Sequence, residues 1–196
     1  MAVRTVVRRL RGEPRRFVPA LAPRGGVCAE IGVWKGDFSA QILRVARPSK
    51  LHLVDPWAFM TGPEYAEARY GGGAAADQGA MDRLHADVLR RFARPIGQGV
   101  VEVHRSTSAE AASRFPDGSL DWVYVDGNHL YEHVREDLAA YDPKVRPGGV
   151  IAGDDYGVEG WWENGVTRAV DEFVADRGYE VVSLAAHQFV LRKPQL

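Results

Sequence analysis

The sequence contains one cysteine, so no disulfide can form within the chain. Cys28 lies in an apolar run and is predicted to be a small core residue rather than a nucleophile. No apolar run is long enough to span a bilayer, and the positive charges near the start are not followed by the apolar core of a secretory signal. Neither charge dominates, since 25 Lys and Arg oppose 26 Asp and Glu. We therefore expect a cytoplasmic protein that binds neither a membrane nor nucleic acid.

The length and composition predict one domain. A chain of 196 residues, 45% of them hydrophobic, can bury a substantial core. Residues 1–26 are too few for a separate domain and are predicted to form one or two capping helices. Residues 56–99 are rich in glycine and follow the second predicted strand. We interpret this insertion as an active-site lid, with a surface loop of no chemical role as the alternative.

Short apolar runs alternate with amphipathic stretches, which is typical of an α/β protein. Strands are predicted at residues 27–32, 51–54, 100–103, 122–125, 150–152, 180–184 and 188–191. Helices are predicted at residues 37–45, 80–92, 109–114, 131–141 and 165–176. No helix fits between the last two strands, so these two must be antiparallel. The expected fold is a seven-stranded, mostly parallel sheet with helices on both faces, which resembles the Rossmann-like sheet of class I methyltransferases.

Two motifs indicate an adenosine site. In EIGVWKG, residues 30–36, Gly32 lets the backbone approach a ligand, and Gly36 opens a helix whose free N–H groups can meet a carboxylate. In LHLVDPW, Asp55 ends the second strand, where an acid can accept both hydroxyls of a ribose. The same geometry serves NAD and S-adenosylmethionine, and a plain strand-to-helix turn is the alternative to a ligand site.

A third segment, HRSTSAEA, places hydroxyls just after the third strand, where the adenine edge would lie. These hydroxyls can equally serve as N-caps of the following helix, and both interpretations stay open. The cofactor-binding candidates are Glu30, Gly32, Trp34, Gly36, Asp55, Ser106, Thr107, Ser108 and Asp126.

Three carboxylates follow two neighbouring strands. Asp126 ends the fourth strand in DWVYVDGNHLYEHV, and Asp154 and Asp155 end the fifth in GGVIAGDDYG. The carboxyl ends of parallel strands meet at one edge, where these charges would repel one another unless a cation neutralised them. An all-oxygen ligand set suits Mg²⁺, with Mn²⁺ or Ca²⁺ as weaker matches. Helix capping by the three aspartates is the alternative.

Five motifs in order resemble the small-molecule O-methyltransferases that include macrocin O-methyltransferase and related sugar methyltransferases. They are EIGVWKG, LVDPW, FPDGSLDWVYVDGNHLYE, PGGVIAGDDY and GVTRAVDEF, and they span residues 27–191. The pattern is more distantly similar to catechol O-methyltransferase. The resemblance implies S-adenosylmethionine as the cofactor, Asp55 as the ribose-binding acid, and Asp126, Asp154 and Asp155 as the metal ligands.

The general base of this family lies two or three positions after the first metal aspartate. Asn128 occupies the second position and cannot accept a proton, so the resemblance points to His129 at the third. The expected reaction is Mg²⁺-dependent methyl transfer to a hydroxyl of a small molecule, a sugar or a phenolic natural product. A helix-terminal role for His129 is one alternative, and a zinc site shared with His133 is another.

Several aromatic residues lie in segments predicted to surround the acceptor, and packing is the alternative role for each. They are Trp57, Tyr65, Tyr70, Tyr156, Trp161 and Trp162. The short N-terminal segment suggests a homodimer in which a second subunit completes the acceptor pocket. Methyl transfer to nitrogen or carbon, a non-catalytic adenosine-binding module and an NAD-linked oxidoreductase are the competing functions. A terminal antiparallel hairpin and three clustered carboxylates argue against hydride transfer.

Overall fold

A seven-stranded sheet forms the centre of the computed structural model, which describes residues 17–68, 70 and 77–195. Its strands are β1 (Val27–Ile31), β2 (Lys50–Asp55), β3 (Val101–Arg105), β4 (Leu120–Val125), β5 (Val145–Gly153), β6 (Glu180–Ala185) and β7 (Gln188–Arg192). The strand order is β3-β2-β1-β4-β5-β7-β6. β1 to β5 are parallel, whereas β7 runs antiparallel to both β5 and β6. The predicted sheet with its antiparallel hairpin is confirmed.

Helices cover both faces of the sheet. They are α1 (Val18–Leu21), α2 (Asp37–Val45), α3 (Gln78–Arg91), α4 (Ala93–Gly97), α5 (Ser108–Ala112), α6 (Tyr131–Tyr141) and α7 (Gly165–Arg177). Side chains alternate along a strand, so β4 contributes to two cores. Trp122 and Tyr124 pack with residues of α1, α2 and α3, while Val123 and Val125 pack with residues of α5, α6 and α7.

The predicted element boundaries hold best for the amphipathic helices. α2 and α6 begin and end at the predicted residues. β5 differs most, because it begins at Val145 rather than at residue 150. Its PGG sequence looks like a turn but forms an irregularity within the strand. Val145 pairs with Leu120 and Val150 with Trp122, so β5 carries extra residues opposite Asp121, as in a β-bulge.

The two segments outside the predicted sheet are described in part. In residues 1–26 the described portion contains α1, and residues 1–16 lie outside it. The insertion of residues 56–99 contains a 3₁₀ turn (Pro63–Tyr65), α3 and α4, while residues 69 and 71–76 lie outside the description. The single-domain and lid assignments stay predictions. None of the helices in the described residues is long and apolar enough to cross a membrane.

The strand order reverses next to β1, because β2 and β3 are added on one side of it and β4 and β5 on the other, and ligands bind at such a switch point in open α/β sheets. Here the loops after β1 and β4 touch. Gly32 has a φ of +90°, and the amide of Asp126 donates to the carbonyl of Ile31 at 2.7 Å. A Cβ at Gly32 would lie 1.9 Å from the carbonyl oxygen of Asp126. The neighbouring loop therefore requires glycine at position 32, independently of any ligand that approaches the backbone there.

This contact predicts a large effect of Gly32→Ala. The positive φ alone costs about 1–2 kcal/mol for a residue with a Cβ, and relieving the overlap must also move the loop after β4. We expect the free energy of unfolding, measured by urea denaturation, to fall by about 2 kcal/mol or more. Gly97→Ala is the matched control, because a Cβ there meets nothing within 4 Å. Equal stability of the two variants would contradict the packing argument.

Candidate active site

The carboxylate of Asp55 is buried at the end of β2 and joins three segments. Its Oδ2 accepts hydrogen bonds from the amides of Val33 and Trp34, both at 2.9 Å. Its Oδ1 accepts from the amide of Trp57 at 2.7 Å and from the hydroxyl of Tyr70. Asp55 thus holds the loop after β1 against the start of the insertion. The residue predicted to bind ribose lies beside the predicted glycine-containing loop.

Tyr70 provides the one side-chain hydroxyl among these four donors to Asp55. An ionised carboxylate offers about four acceptor positions, so the four donors fill them. Burial and the adjacent charge of Asp55 raise the pKa of Tyr70 above its usual value, which keeps the hydroxyl protonated as a donor. A ribose hydroxyl could reach Asp55 only by replacing one donor, and the Tyr70 hydroxyl is not part of the backbone.

The three hydroxyl residues after β3 have different environments. Thr107 caps α5, since its Oγ1 accepts from the amide of Glu110 at 3.3 Å and the Glu110 side chain accepts from the Thr107 amide at 3.0 Å. Ser108 begins α5, and its carbonyl accepts from the Tyr141 hydroxyl at 3.2 Å. Ser106 is buried beside Asp55, whose carbonyl accepts from its amide at 3.3 Å. Among the described residues its Oγ has no hydrogen-bond partner.

The first motif surrounds the same place. Glu30 is buried on β1, in register with Leu53 and Tyr124. The carbonyl of Trp34 accepts from the indole N–H of Trp57 at 2.9 Å. Gly36 is the N-cap of α2, with a φ of +76° and no side-chain cap. The uncapped start of α2, the acid Asp55 and the unpartnered Ser106 hydroxyl fit the carboxylate, ribose and adenine of an adenosine cofactor.

A second polar group lies after β4 and β5. Ligand atoms of Asp126, His129 and Asp155 all lie within 4.8 Å of one another. The His129 Nε2 is 3.2 Å from Asp155 Oδ2 and 3.5 Å from Asp126 Oδ1. These side chains are 16–23% exposed, so the group is accessible from solvent. Asp155 has a φ of +59°, an uncommon conformation for a residue with a Cβ and one often found at functional sites.

Asp154 faces a different set of partners. It is 5% exposed, and its Oδ1 accepts a hydrogen bond from the side-chain amide of Gln188. The Gln188 Oε1 in turn accepts from the Tyr124 hydroxyl at 2.6 Å. The three residues come from β4, β7 and the end of β5, so they fix the direction of that strand end. The structure brings Asp126 and Asp155 together with His129, and the candidate metal-ligand group found among the described residues consists of these three, without Asp154.

Aromatic rings lie against His129. The ring centroids of His129 and Trp162 are 4.8 Å apart, and Trp161 contacts both Trp162 and Tyr65 edge-on. The Asn128 side-chain amide donates to the Tyr65 hydroxyl at 3.0 Å, and its Oδ1 accepts from the amide of Leu130. Asn128 therefore connects the loop after β4 with the insertion.

Two of the predicted acceptor-facing aromatics lie elsewhere. Trp57 is fully buried in the core and packs on His85, with ring centroids 4.7 Å apart. Tyr156 donates to Asp171 on α7 at 2.8 Å. The interaction of His133 is also local, because its Nδ1 lies 3.8 Å from Glu136 and the side chain is 47% exposed. Of the residues described, His133 is not in the group around His129.

Gln188 and the contact between Asn128 and Tyr65 are not among the residues and contacts expected from the sequence. Gln188 is the one strongly polar residue at the start of an otherwise apolar strand, QFVL, and it is 1% exposed. A buried amide needs hydrogen-bond partners, so this position indicated a buried polar network. Nothing in the sequence pattern pairs Asn128 with Tyr65.

Comparison with known proteins identifies the family. A model described as a methyltransferase domain matches residues 29–156, well over half of the chain. No curated protein matches the sequence. The fold is similar to precorrin-6y C5,15-methyltransferase from Geobacter metallireducens, with a TM-score of 0.61 and 15% identity over 97% of this chain and 93% of that one.

Two further structures are similar. A SAM-dependent methyltransferase from Aquifex aeolicus has a TM-score of 0.56 and 14% identity, over 91% of this chain and 87% of that one. A candidate caffeoyl-CoA O-methyltransferase from Staphylococcus aureus has a TM-score of 0.59 and 11% identity, over 92% and 80%. At these identities the solved structures show only a shared fold, and the assignment to a family rests on the matching family model. The chain belongs to the methyltransferase domain family, and it has the Rossmann-like fold of class I methyltransferases.

Proposed function

We propose that the protein transfers the methyl group of S-adenosylmethionine to a hydroxyl of a small molecule, with a divalent cation at the aspartate group and His129 as the general base. One observation carries the proposal. Two carboxylates and one imidazole converge beside the cofactor edge, within 4.8 Å of one another and against a wall of aromatic rings. Methyltransferases that act on an already nucleophilic atom do not need this combination.

The donor set supports a cation. Asp126 and Asp155 offer carboxylate oxygens, the preferred ligands of Mg²⁺ and Mn²⁺. A cation bound there would supply Lewis acidity that lowers the pKa of a nearby hydroxyl. The sequence predicts Asp154 as a third metal ligand beside Asp126 and Asp155. Because Asp154 is bonded to Gln188, we propose that its contribution is to hold the end of β5 in place.

His129 is suited to remove the proton. Methyl transfer forms a bond between the acceptor oxygen and the methyl carbon, breaks the bond from that carbon to the sulfonium sulfur, and releases the hydroxyl proton. The His129 Nε2 would accept that proton, and Asp155 at 3.2 Å would stabilise the resulting imidazolium. Trp162 packs against the ring and limits its rotation.

The aromatic wall favours a flat or ring-shaped acceptor. Trp161, Trp162 and Tyr65 form a continuous set of edge-on contacts next to His129. Such rings can pack on a phenolic ring or on the apolar face of a sugar. We therefore propose a sugar or phenolic acceptor, with catechol and vicinal-diol sugars as the first compounds to test.

Substitutions at Asp55 and Tyr70 should change the affinity for the cofactor in opposite directions. Asp55→Asn should weaken the binding of S-adenosylhomocysteine about 10- to 100-fold, because hydrogen bonds to a charged acceptor are worth about 1.5–3 kcal/mol. Tyr70→Phe should strengthen binding, by up to about tenfold, because a competitor for Asp55 is removed. Isothermal titration calorimetry measures both. Tyr179→Phe, which removes the hydroxyl bonded to Asp142, is the matched control and should leave affinity unchanged. Unchanged affinity in Asp55→Asn would show that the adenosine site is misplaced.

The cation is tested with Mn²⁺, whose free concentration is measured by electron paramagnetic resonance. Asp126→Asn and Asp155→Asn should each raise the dissociation constant at least about tenfold, because each removes a charged ligand. Glu136→Gln, an exposed acid on α6, should not change it. EDTA should abolish transfer of a labelled methyl group to the acceptor panel, and added Mg²⁺ should restore it. Full turnover in EDTA would exclude a cation mechanism.

His129→Asn separates a base from a metal ligand. Asparagine keeps the hydrogen bonding but has no basicity, so turnover should fall about 10²–10⁴-fold, the usual loss for a general base. The Mn²⁺ affinity should stay close to that of the wild type. His133→Asn, four residues later and exposed, is the control that should keep full turnover. A parallel loss of Mn²⁺ affinity would make His129 a ligand, and wild-type turnover would remove it from the mechanism.

A further inference from the structure

A second group of metal-ligating side chains lies on β2 and β3, away from the cofactor edge. In the parallel register His52 is opposite Glu102, and Val54 is opposite His104. Glu102 and His104 are two residues apart on β3, so their side chains share one face of the sheet with His52. The sequence signals are an E-x-H pattern in VEVHR and one histidine in LHLVD. The pairing of the two strands brings all three residues together.

The distances fit one small ion. His52 Nδ1 is 3.0 Å from His104 Nε2, His52 Nδ1 is 3.9 Å from Glu102 Oε2, and His104 Nε2 is 3.8 Å from Glu102 Oε1. Ligands of a tetrahedral zinc ion, with bonds of about 2.0–2.1 Å, are about 3.3 Å apart. The three observed separations lie on both sides of that value. The two histidine contacts of Glu102 involve different carboxylate oxygens, so a small rotation of the carboxylate and shifts of a few tenths of an ångström would place one ligand atom of each residue around one ion.

Burial and packing affect both the charge and the orientation of the two imidazoles. Burial lowers the pKa of His52 to about 4, and burial also lowers the pKa of His104. The lowered pKa values of the two imidazoles favour the neutral form of each ring, which is the form that binds a metal. Phe115 packs edge-on against both rings and restricts their rotation. Without a metal, one of the two facing nitrogens carries a hydrogen and donates a hydrogen bond to the other.

The charges around the group limit the affinity. Glu102 directs Oε2 toward Lys50, whose ammonium is 2.7 Å away. Its Oε1 is the oxygen nearer to His104. Arg114 lies with His52, Glu102 and His104 along one surface cleft. Two nearby cations oppose the binding of a third, so we expect micromolar rather than nanomolar affinity.

This group shares no residue with the group of Asp126, His129 and Asp155, and it also lies apart from Asp55. His52 comes three residues before Asp55 on β2, which is about 10 Å along an extended strand. Its side chain also points to the opposite face from Asp55, because alternate residues face alternate sides. His52 contacts Phe115 on the side covered by α5 and α6, whereas Asp55 bonds to the loop after β1.

We propose that His52, Glu102 and His104 form a zinc site that clamps the edge strand β3 to β2. Two imidazole nitrogens and one carboxylate are a ligand set that zinc accepts, and a fourth position stays open toward the cleft. The site has no part in methyl transfer. Zinc bound there would add a further link between two strands that are already joined by backbone hydrogen bonds, the Lys50–Glu102 ion pair and the His52–His104 contact.

The test counts zinc by equilibrium dialysis and elemental analysis of the purified full chain. Glu102→Gln and His104→Gln should each bind one zinc ion fewer per chain than the wild type, in micromolar zinc. His133→Gln, the exposed histidine on α6, should bind as much as the wild type. At a tenfold excess of zinc over the dissociation constant, the midpoint of thermal unfolding should rise by about 3 °C or more. That rise should be lost in both test variants.

The difference in bound zinc between the wild type and each variant distinguishes this site from Asp126 and Asp155, which can also bind zinc. Glu102→Gln removes a side chain that is 49% exposed, so the variant should fold even if His104→Gln does not. Circular dichroism checks the fold of each variant. The proposal is overturned if both folded variants keep the wild-type zinc content. It is also overturned if all the zinc bound by the wild type is lost in Asp155→Asn.

Discussion

The buried charge of Asp55 is the constraint on which the cofactor edge depends. An ionised carboxylate removed from water is costly unless hydrogen bonds replace its hydration, and here donors from three segments do so. The loop after β1 is held to the end of β2 by this requirement. Gly32, in that same loop, lies against the Asp126 carbonyl, which extends the constraint to β4. The predicted cofactor residues Gly32 and Asp55 and the proposed cation ligand Asp126 are therefore positioned by one connected set of contacts.

The sequence predicted those features that a local pattern determines. The apolar spacing of α2 and α6 fixes their boundaries, and acids at the ends of parallel strands must share an edge. Features set by distant residues were not predictable. The PGG segment in β5 looks like a strand boundary, and only pairing with β4 makes it a bulge. Asp154 and Asp155 are adjacent and similar in sequence, yet Gln188 on β7 takes the first and His129 contacts the second.

Aromatic residues show the same limit. Trp57 and Trp162 both lie near the predicted site in the sequence, and both offer a large apolar surface. The backbone amide of Trp57 donates to Asp55, and the ring of Trp57 is fully buried in the core. Trp162 precedes α7 and lies on His129. The difference depends on which backbone amide donates to the Asp55 carboxylate and on where a helix begins relative to the sheet. Neither quantity is encoded in the residue type.

The two histidine groups would give one sheet two different kinds of cation site, if both proposals hold. Around His129 two carboxylates and one imidazole lie at the open carboxyl edge, where an oxygen-preferring cation and a proton acceptor can work on the same hydroxyl. Around His52 the ratio is reversed, with two imidazoles, one carboxylate and a wall made by Phe115. Nitrogen ligands favour zinc, and nearby Lys50 and Arg114 disfavour a hard cation that relies on charge alone. The chemistry of each site therefore follows from which strand positions carry carboxylates and which carry imidazoles.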